Sequence, residues 1–371
     1  RFDLPIKDLF LDLHRKDTSF GREIYKEHLR VWNGFVEFDN PEKNTFEAYE
    51  SAFIKIYQDL KQGDFDWQRS PIERNENGFL LNGSHRLVAS NSLEIVAALQ
   101  VKQSWDRIFD YRYFEGKGLS DFYMDAAALQ MARKNPDLRM IHIFPAAKGK
   151  RDELESVIQK FTKIAYHKEV KLNVNGALRY TMELYRGERW VGDWGNDFGG
   201  FRNKSEACFP NSDALSIYWV ELKDLDQARI LKEEIRDIFK IGNHSIHIND
   251  TAEETLRLSR ATLNANSLHF LNYSNLLEDE HFERLLKLYE HHIEDDGLDA
   301  ENYCVTMGGV LSIFGLRGTN DLDYLHTPSL APLPCIGDIE SHNAKDDRWF
   351  EDSIDEILYN PKNHFYFGNI K

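Results

Sequence analysis

Apolar and aromatic residues recur at helical spacing through about the first 60 residues of the chain. The stretches SFGREIYKEHLRVWNGF and NTFEAYESAFIKIYQDL each place such residues three or four positions apart, which is the spacing of one buried helix face. Asn44 or Thr45, with Glu47 downstream, is expected to begin the second helix. The pattern therefore predicts a mostly helical start to the fold.

Further along, strands alternate with amphipathic helices. MIHIFPAA and SIYWVELK are predicted strands, while KRDELESVIQKFTKI and DLDQARILKEEIRDIF are predicted helices with one apolar face. This alternation indicates an α/β to α+β fold. We predict a helix-rich first domain over residues 1–136 and a mixed-sheet second domain over 137–371, with a further division near 240 left open.

Between these regions, an extended piece that starts at Ser70 leads through GFLLN into the turn Gly83-Ser84-His85-Arg86, and LVASNSLEIVAAL continues as a helix. A glycine turn that opens a helix leaves backbone N–H groups available to an anion. Arg86 supplies a planar fork for phosphate oxygens, and His85 is expected to hold a phosphate or to move a proton. The alternative is an ordinary turn with a capping serine and a solvated arginine.

The segment around this turn resembles the ParB/sulfiredoxin-like nucleotide-binding fold. Sulfiredoxins carry Gly-Cys-His-Arg at a helix start, where it binds ATP phosphates, and related free-serine kinases carry Gly-His-His-Arg. The resemblance covers about 30 residues and implies a nucleotide site at Gly83, Ser84, His85 and Arg86. Because Ser84 stands in place of the sulfiredoxin cysteine, the sulfur chemistry is not implied.

The most informative stretch for chemistry is VTMGGVLSIFGLRGTNDLDYLH, from Val305 onward. Carboxylates two apart on a strand face the same side, so Asp321 and Asp323 can share one divalent cation. Mg²⁺ prefers oxygen ligands and usually binds through one or two carboxylates plus substrate phosphates. Gly308 and Gly309 let the backbone approach a phosphate. Together these residues supply the groups that metal-assisted phosphoryl or nucleotidyl transfer requires. The alternative interpretation is a loop before an edge strand with two solvated aspartates.

The same stretch resembles the signature of the nucleotidyltransferase superfamily, the DNA polymerase beta-like fold, over about the last 120 residues. That signature is Gly-Gly or Gly-Ser, a spacer, and then acidic-apolar-acidic on a strand. Gly308-Gly309 and Asp321-Leu322-Asp323 correspond to it. The resemblance implies that the two aspartates bind Mg²⁺ and that a third carboxylate lies on a later strand.

For that third carboxylate we choose Asp338, with Glu340 close behind, because the two lie two apart on one predicted strand. Its expected role is to hold or activate the hydroxyl of the acceptor. Arg317 lies just before the aspartate pair and is expected either to bind a phosphate or to form a surface salt bridge.

Other potential ligands are clustered further upstream: His244, His247, Asp250 and Glu254. Their spacing matches no strong metal site. We interpret the histidines as part of a strand, Asn249 or Asp250 as a helix cap, and Glu254 as a first-turn acid. A weaker interpretation is that His247 or Asn249 contacts a substrate phosphate or sugar hydroxyl.

Composition limits the partners and the cellular compartment that are expected for the protein. The net charge of −16 argues against nucleic acid as a partner, and no apolar run approaches the ~20 residues that span a bilayer. The three cysteines, Cys208, Cys304 and Cys335, are far apart and form no ligand or disulfide pattern, so a reducing cytoplasm is expected.

The chain as a whole resembles uncharacterised proteins of bacterial surface-polysaccharide synthesis, in which such a chain precedes further domains. The residues behind this resemblance are NGSHRL, HSIHINDTAEETL, NSLHFLNY, GLRGTNDLDYLH and NPKNHFYF. It implies a biological context in capsule polysaccharide biosynthesis, with glycan-assembly enzymes or further domains as partners.

The leading hypothesis is a cytoplasmic Mg²⁺-dependent phosphotransferase or nucleotidyltransferase. It would use a nucleoside triphosphate, ATP or CTP, and a small sugar, polyol or glycan precursor as acceptor. Three alternatives stay open: an ATP-dependent small-molecule kinase at the Gly83–Arg86 turn, a non-catalytic scaffold for a larger glycan-assembly protein, and a glycosyltransferase whose Asp-X-Asp pair holds the metal of a nucleotide-sugar.

Overall fold

The computed structural model describes residues 1–37, 41–106, 108–211, 213–275, 279–334, 337–345 and 350–371. The fold is mixed α/β, with helices and small sheets, as the alternation of sequence patterns predicts. The chain divides into two compact units, Arg1–Gln130 and Met131–Lys371. This division falls inside a helix, slightly before the boundary at residue 136 that the sequence indicates.

The described helices are α1 (Asp3–Leu13), α2 (Phe20–Asn33), α3 (Phe46–Gln62), α4 (Ser84–Ser92), α5 (Tyr111–Gly116), α6 (Asp121–Lys134), α7 (Arg151–Phe161), α8 (Val174–Leu184), α9 (Gly199–Cys208), α10 (Leu225–Phe239), α11 (Ala252–Thr262), α12 (Ala265–Tyr273), α13 (Glu280–Asp295), α14 (Met307–Ile313) and α15 (Ile354–Tyr359). The described strands are β1 (Ile72–Arg74), β2 (Leu80–Asn82), β3 (Leu99–Val101), β4 (Leu138–Ile143), β5 (Ile164–Val170), β6 (Leu215–Glu221), β7 (Ile246–Ile248), β8 (Tyr303–Thr306), β9 (Leu322–His326) and β10 (Ile339–Ser341).

The first unit packs α1, α2 and α3 around an aromatic core. The ring of Phe10 lies 4.6 Å from that of Tyr25 and 5.6 Å from that of Phe53, measured between centroids. Helix α3 begins after Thr45, whose hydroxyl accepts a first-turn N–H, and ends at Gly63, with φ of 81°. Both ends are therefore fixed by local chemistry that the sequence displays.

A small sheet with the order β2-β1-β3 completes this unit. Strand β1 pairs antiparallel with β2 and parallel with β3. Helix α4 follows β2 directly through Gly83, whose φ of 92° favours glycine. The extended segment, the glycine turn and the start of the helix follow one another as the sequence predicts. The predicted continuation of the helix through LVASNSLEIVAAL is wrong beyond Ser92, and Leu99 begins β3.

The larger sheet of the second unit is antiparallel, with the order β5-β6-β4-β7. Strand β7 follows residue 240 and pairs with β4, so both sides of that position contribute to one sheet. Trp219 on β6 is fully buried, and its Nε1 donates to Ser259 Oγ on α11 over 2.9 Å. This bond satisfies the one polar group of a large core side chain.

Helix α11 is capped by Thr251, and the expectation that Asn249 or Asp250 caps it is wrong. Thr251 and Glu254 form a reciprocal capping box. Asn249 is instead buried: its Oδ1 accepts the Met140 N–H over 2.7 Å, and its Nδ2 donates to Thr255 Oγ1 over 2.8 Å. The amide is therefore used to join β4 to α11.

The smaller sheet of the second unit has the order β10-β9-β8. Strand β8 pairs antiparallel with β9, and β9 pairs parallel with β10. All five residues of β9 are buried. Helix α14 connects β8 to β9, and α13 adds Phe282 and Tyr289 to the core beneath them.

A buried ionic network surrounds Glu301, just ahead of β8. Its carboxylate accepts from Arg260 Nη2 over 2.8 Å, from Tyr366 Oη over 2.9 Å and from Lys371 Nζ over 3.2 Å, and lies 2.9 Å from Arg133 Nη2. Burial opposes ionisation of Glu301, but the charges of Arg133, Lys371 and Arg260 outweigh it and hold its pKa well below the usual range. The carboxylate is therefore ionised and compensates three cations, of which Arg260 and Lys371 are buried and Arg133 is partly exposed.

Replacing Glu301 with Gln leaves those cations without their shared counter-charge. We expect a loss of about 3–5 kcal/mol in the free energy of unfolding, measured by urea titration. Glu233→Gln is the matched control, because Glu233 forms only an exposed pair with Arg236, and its cost should stay within about 0.5 kcal/mol. Equal costs for the two variants would contradict a stabilising role for the network.

Buried histidines predict acid sensitivity. Burial lowers the pKa of His142 to about 3, whereas an unfolded histidine titrates near 6.5. Between these values the unfolded state binds more protons, so unfolding free energy falls as pH decreases from about 6.5 towards 3, by up to about 1.4 kcal/mol per unit. His142→Phe should therefore show a shallower loss of stability between pH 7 and pH 5 in urea titrations. Parallel pH profiles for wild type and variant would refute this assignment.

Candidate functional site

The turn from β8 into α14 is strained. Met307 has φ of 52°, a left-handed conformation that costs a non-glycine residue on the order of 1–3 kcal/mol. It follows Thr306, the last residue of β8, and delivers Gly308 and Gly309 to the start of α14. The surrounding structure therefore holds the glycine pair in a conformation that the local sequence disfavours.

The two glycines face different surroundings. A Cβ at Gly308 would lie 2.9 Å from Thr319 Oγ1 and 3.6 Å from Arg317 Nη2. A Cβ at Gly309 would lie 2.6 Å from Val305 Cγ1, inside the core of the small sheet. Gly308 thus adjoins the polar loop before β9, while Gly309 allows α14 to pack closely on β8.

That loop connects the glycine turn to the first aspartate. Thr319 Oγ1 donates to Asp321 Oδ1 over 2.9 Å. Asp321 is exposed and lies one residue ahead of β9, so it ends the loop and is not part of the strand. The same loop carries the exposed Arg317. Gly308, Arg317 and Asp321 are therefore brought to one edge of the sheet.

The second aspartate is held from the neighbouring strand. Asp323 lies within β9 and is 9% exposed, and its Oδ1 is 2.7 Å from Nε2 of His342. His342 follows β10 directly and is itself buried. This contact fixes the orientation of the Asp323 carboxylate.

The register of the parallel pair decides which acid lies beside Asp323. Glu340 is aligned with Asp323, and Ile339 with Leu322. Adjacent strands lie about 4.8 Å apart, so Glu340 is its nearest carboxylate-bearing neighbour on β10. Asp338 lies just ahead of β10, and its carbonyl accepts the Leu322 N–H over 2.8 Å. The register therefore adds Glu340 as a stronger candidate than Asp338 for the third carboxylate.

The donors at this edge have the chemistry of a site for a hard cation. Asp321, Asp323 and Glu340 offer the carboxylate oxygens that Mg²⁺ prefers. Within the described ranges, no three side chains of His, Cys, Asp or Glu already converge as a cation site. The donor types fit Mg²⁺, and substrate phosphates would supply further oxygens.

Sequence reasoning missed Thr319 and His342. Thr319 lies in the loop ahead of β9, and His342 follows the end of β10, so neither belongs to a strand. Their contacts with the aspartates form only in the folded loop and sheet, and spacing along the sequence does not reveal them.

The upstream cluster of potential ligands has structural uses. Glu254 accepts the backbone N–H of Thr251 in the capping box. Burial lowers the pKa of His247 well below its usual value, with His142 adding to the effect. His247 is therefore neutral within the larger sheet.

The Gly83 turn is linked to the rest of the first unit. Ser84 Oγ accepts from Lys7 Nζ over 2.8 Å. Arg86 bends back over the turn, so that a Cβ at Gly83 would lie 3.0 Å from its Nε, and its Nη2 donates to Asn82 Oδ1 over 3.2 Å. Arg86 therefore lies at the start of α4, while the buried Lys7 is paired with the carboxylate of Asp3.

His85 is directed towards the aromatic core of the first unit. Its Nε2 lies 2.9 Å from Tyr25 Oη. Burial lowers the pKa of His85 well below its usual value, and the charge of Lys7 lowers it further. His85 is therefore neutral near pH 7, and any contact with a phosphate there would be a hydrogen bond without a positive charge.

Two of the cysteines are buried thiols. Burial raises the pKa of Cys208 and of Cys304 to about 11, so both remain protonated near neutral pH. Cys335 lies outside the described residues.

Comparisons of the chain with protein-family models, with curated proteins and with solved structures find no match. In the part of the chain that the structure describes, no helix is both long and apolar enough to cross a membrane.

Because the two glycines have different surroundings, we expect substitution by alanine to lower the free energy of unfolding by different amounts at the two positions. Gly309→Ala forces a methyl group against Val305 in the core and should cost about 1–3 kcal/mol. Gly308→Ala meets a hydroxyl group that can rotate away, so its cost should stay below about 1 kcal/mol. Urea unfolding of both variants measures the difference, and a larger loss for Gly308→Ala would show that the assignment is reversed.

Proposed function

We propose that the second unit is a nucleotidyltransferase-like domain acting in the cytoplasm as an Mg²⁺-dependent phosphotransferase or nucleotidyltransferase. Its donor would be ATP or CTP, and its acceptor a small sugar, polyol or glycan precursor. The observation that supports this most is the alignment of Glu340 with Asp323 in parallel strands, next to the loop that joins Asp321 to Gly308.

Each side chain then has a role that follows from its surroundings. Asp321 and Asp323 would hold the cation, with His342 orienting the Asp323 carboxylate. Arg317, next to Gly308, would bind phosphate oxygens through its planar fork. Mg²⁺, when bound, supplies charge neutralisation at the phosphate oxygens.

The transfer itself exchanges one phosphorus–oxygen bond for another. The acceptor hydroxyl oxygen bonds to phosphorus while the bond to the leaving phosphate oxygen breaks, and the hydroxyl proton passes to Glu340 or Asp338. Attack at the terminal phosphorus releases a nucleoside diphosphate, and attack at the first phosphorus releases pyrophosphate. Both reactions would use the same protein groups. Which phosphorus is attacked is therefore found by identifying the released product.

The decisive measurement is calorimetry with ATP, CTP, GTP, UTP and nucleotide-sugars, with and without Mg²⁺. Wild type should bind one nucleotide in a Mg²⁺-dependent way, and the Asp321→Asn/Asp323→Asn double variant should lose this binding because two oxygen ligands of the cation are weakened. Asp226→Asn, in an exposed pair, is the matched control and should bind as wild type does.

Once an acceptor is found, Glu340→Gln should lower turnover by about 10²–10⁴-fold, and a larger effect of Asp338→Asn would return the proton-accepting role to Asp338.

The same panel separates the other candidates. The kinase proposal, in which the first unit would be a ParB/sulfiredoxin-like domain, is supported by Arg86 at the start of α4, which has no side-chain cap. ATP binding that is lost in Arg86→Ala and kept in the double variant would favour it. Metal-dependent binding of a nucleotide-sugar alone favours the glycosyltransferase. Absence of all binding contradicts the transferase proposal and favours a scaffold within a glycan-assembly protein.

A further inference from the structure

A cavity of about 400 Å³ lies within the second unit, among α8, α12, α13 and α14. Aromatic and aliphatic side chains form much of its wall, including Phe198, Phe201, Phe270, Phe282 and Leu286. Its volume is in the range of small-molecule sites, which combine apolar walls with a few polar groups that fix orientation.

The notable polar group in this cavity is Arg179 on α8. Its side chain is 7% exposed, and among the described residues its Nε and Nη2 atoms have no hydrogen-bond partner. The guanidinium carbon lies 5.5 Å from the centroid of the Phe270 ring. Burial lowers the pKa of Arg179 to about 10, although Glu183 opposes the shift, so the group still carries its charge at neutral pH.

Neighbouring buried arginines are satisfied. Arg257 Nη1 donates to Glu183 Oε2 over 2.8 Å, and Arg260 Nη2 donates to Glu301 Oε1 over 2.8 Å. Buried charges in proteins are normally paired, because an unpaired one is costly to keep away from water. Arg179 departs from this pattern, and it does so at the wall of a cavity.

The acidic side chains at the cavity already have partners. Glu183 pairs with Arg257, and Asp279 accepts the backbone N–H of Phe282 over 3.0 Å as the cap of α13. Glu283 lies 3.9 Å from a lysine Nζ of its own helix. Arg186 also lines the cavity but is exposed, so Arg179 is the buried cation there, and its planar fork offers two parallel hydrogen bonds to an oxyanion.

We infer that this cavity binds an amphiphilic oxyanion, a carboxylate or phosphate monoester whose head group is held by Arg179 and whose apolar body packs against Phe270 and Phe282. The inference goes beyond the transfer reaction and does not depend on it. The bound oxyanion supplies the acceptors that the buried guanidinium lacks, through charge-assisted hydrogen bonds, which are stronger than those between neutral groups.

The test is calorimetric titration of the whole chain, without metal, with three probes of equal chain length: hexyl phosphate, hexanoate and hexan-1-ol. At least one of the two anions should bind wild type about tenfold or more tightly than the alcohol, and the tighter of the two identifies the head group. Arg179→Gln should lower anion affinity to the level of the alcohol. Arg189→Gln, an exposed arginine outside the cavity, is the matched control and should bind as wild type does.

Two further variants keep the test independent of folding and of the proposed reaction. Met182→Trp fills part of the cavity without changing charge and should weaken binding of all three probes. The Asp321→Asn/Asp323→Asn double variant should bind the anions as wild type does, so failure of the transfer proposal leaves this result untouched. Equal affinity of wild type for anion and alcohol, unchanged anion binding in Arg179→Gln, or no binding of any probe would each overturn the inference.

Discussion

The carboxylate of Glu301 joins segments that are far apart in sequence. It accepts hydrogen bonds from Arg260 on α11 and from Lys371, and Lys371 also accepts the backbone N–H of Val305 in β8 over 2.7 Å. Strand β8 leads through Met307 into α14, so the placement of the glycine turn depends on how β8 is anchored. Removing one member of a buried ion network leaves an uncompensated charge away from water, so these groups are stable in the interior only when all of them are in place. The network therefore links the formation of the fold to the geometry of the candidate site.

Local features of the fold were predictable where a signal and its consequence lie within one turn or one strand. The helical period, the Thr45 cap and the glycine turn at Gly83 all act over a few residues. The cap of α11 was misassigned because Asn249 had a competing use: its amide bonds Met140, more than one hundred residues away. A side chain that can serve as a cap or as a link between distant elements is not resolved by neighbouring residues alone.

The candidate site, like the fold, was predictable in its local features and not in its contacts between distant residues. The spacing of Asp321 and Asp323 along the chain is visible in the sequence, and so is the pair of glycines. Which acid lies beside Asp323 depends on the register of β10 against β9, and a register is set by packing between strands. The sequence therefore favoured Asp338, whereas the register aligns Glu340 with Asp323. In the first unit, the contact of Ser84 with Lys7 likewise joins residues 77 positions apart, and no motif spacing reveals it.

Three departures from local rules lie at the proposed sites, although others, such as the left-handed Lys150 and Lys240, lie elsewhere in the second unit. Met307 occupies a conformation that costs it free energy, and Asp323 is a carboxylate at the edge of a buried strand whose orientation is held by His342. Arg179 keeps its charge in an apolar cavity. A fold selected for stability alone would relieve such strain and pair or remove such charges. In the second unit these exceptions lie at the glycine turn, at the acidic edge of the small sheet and in the cavity, which is where binding of phosphates, a cation and an amphiphilic anion would use them.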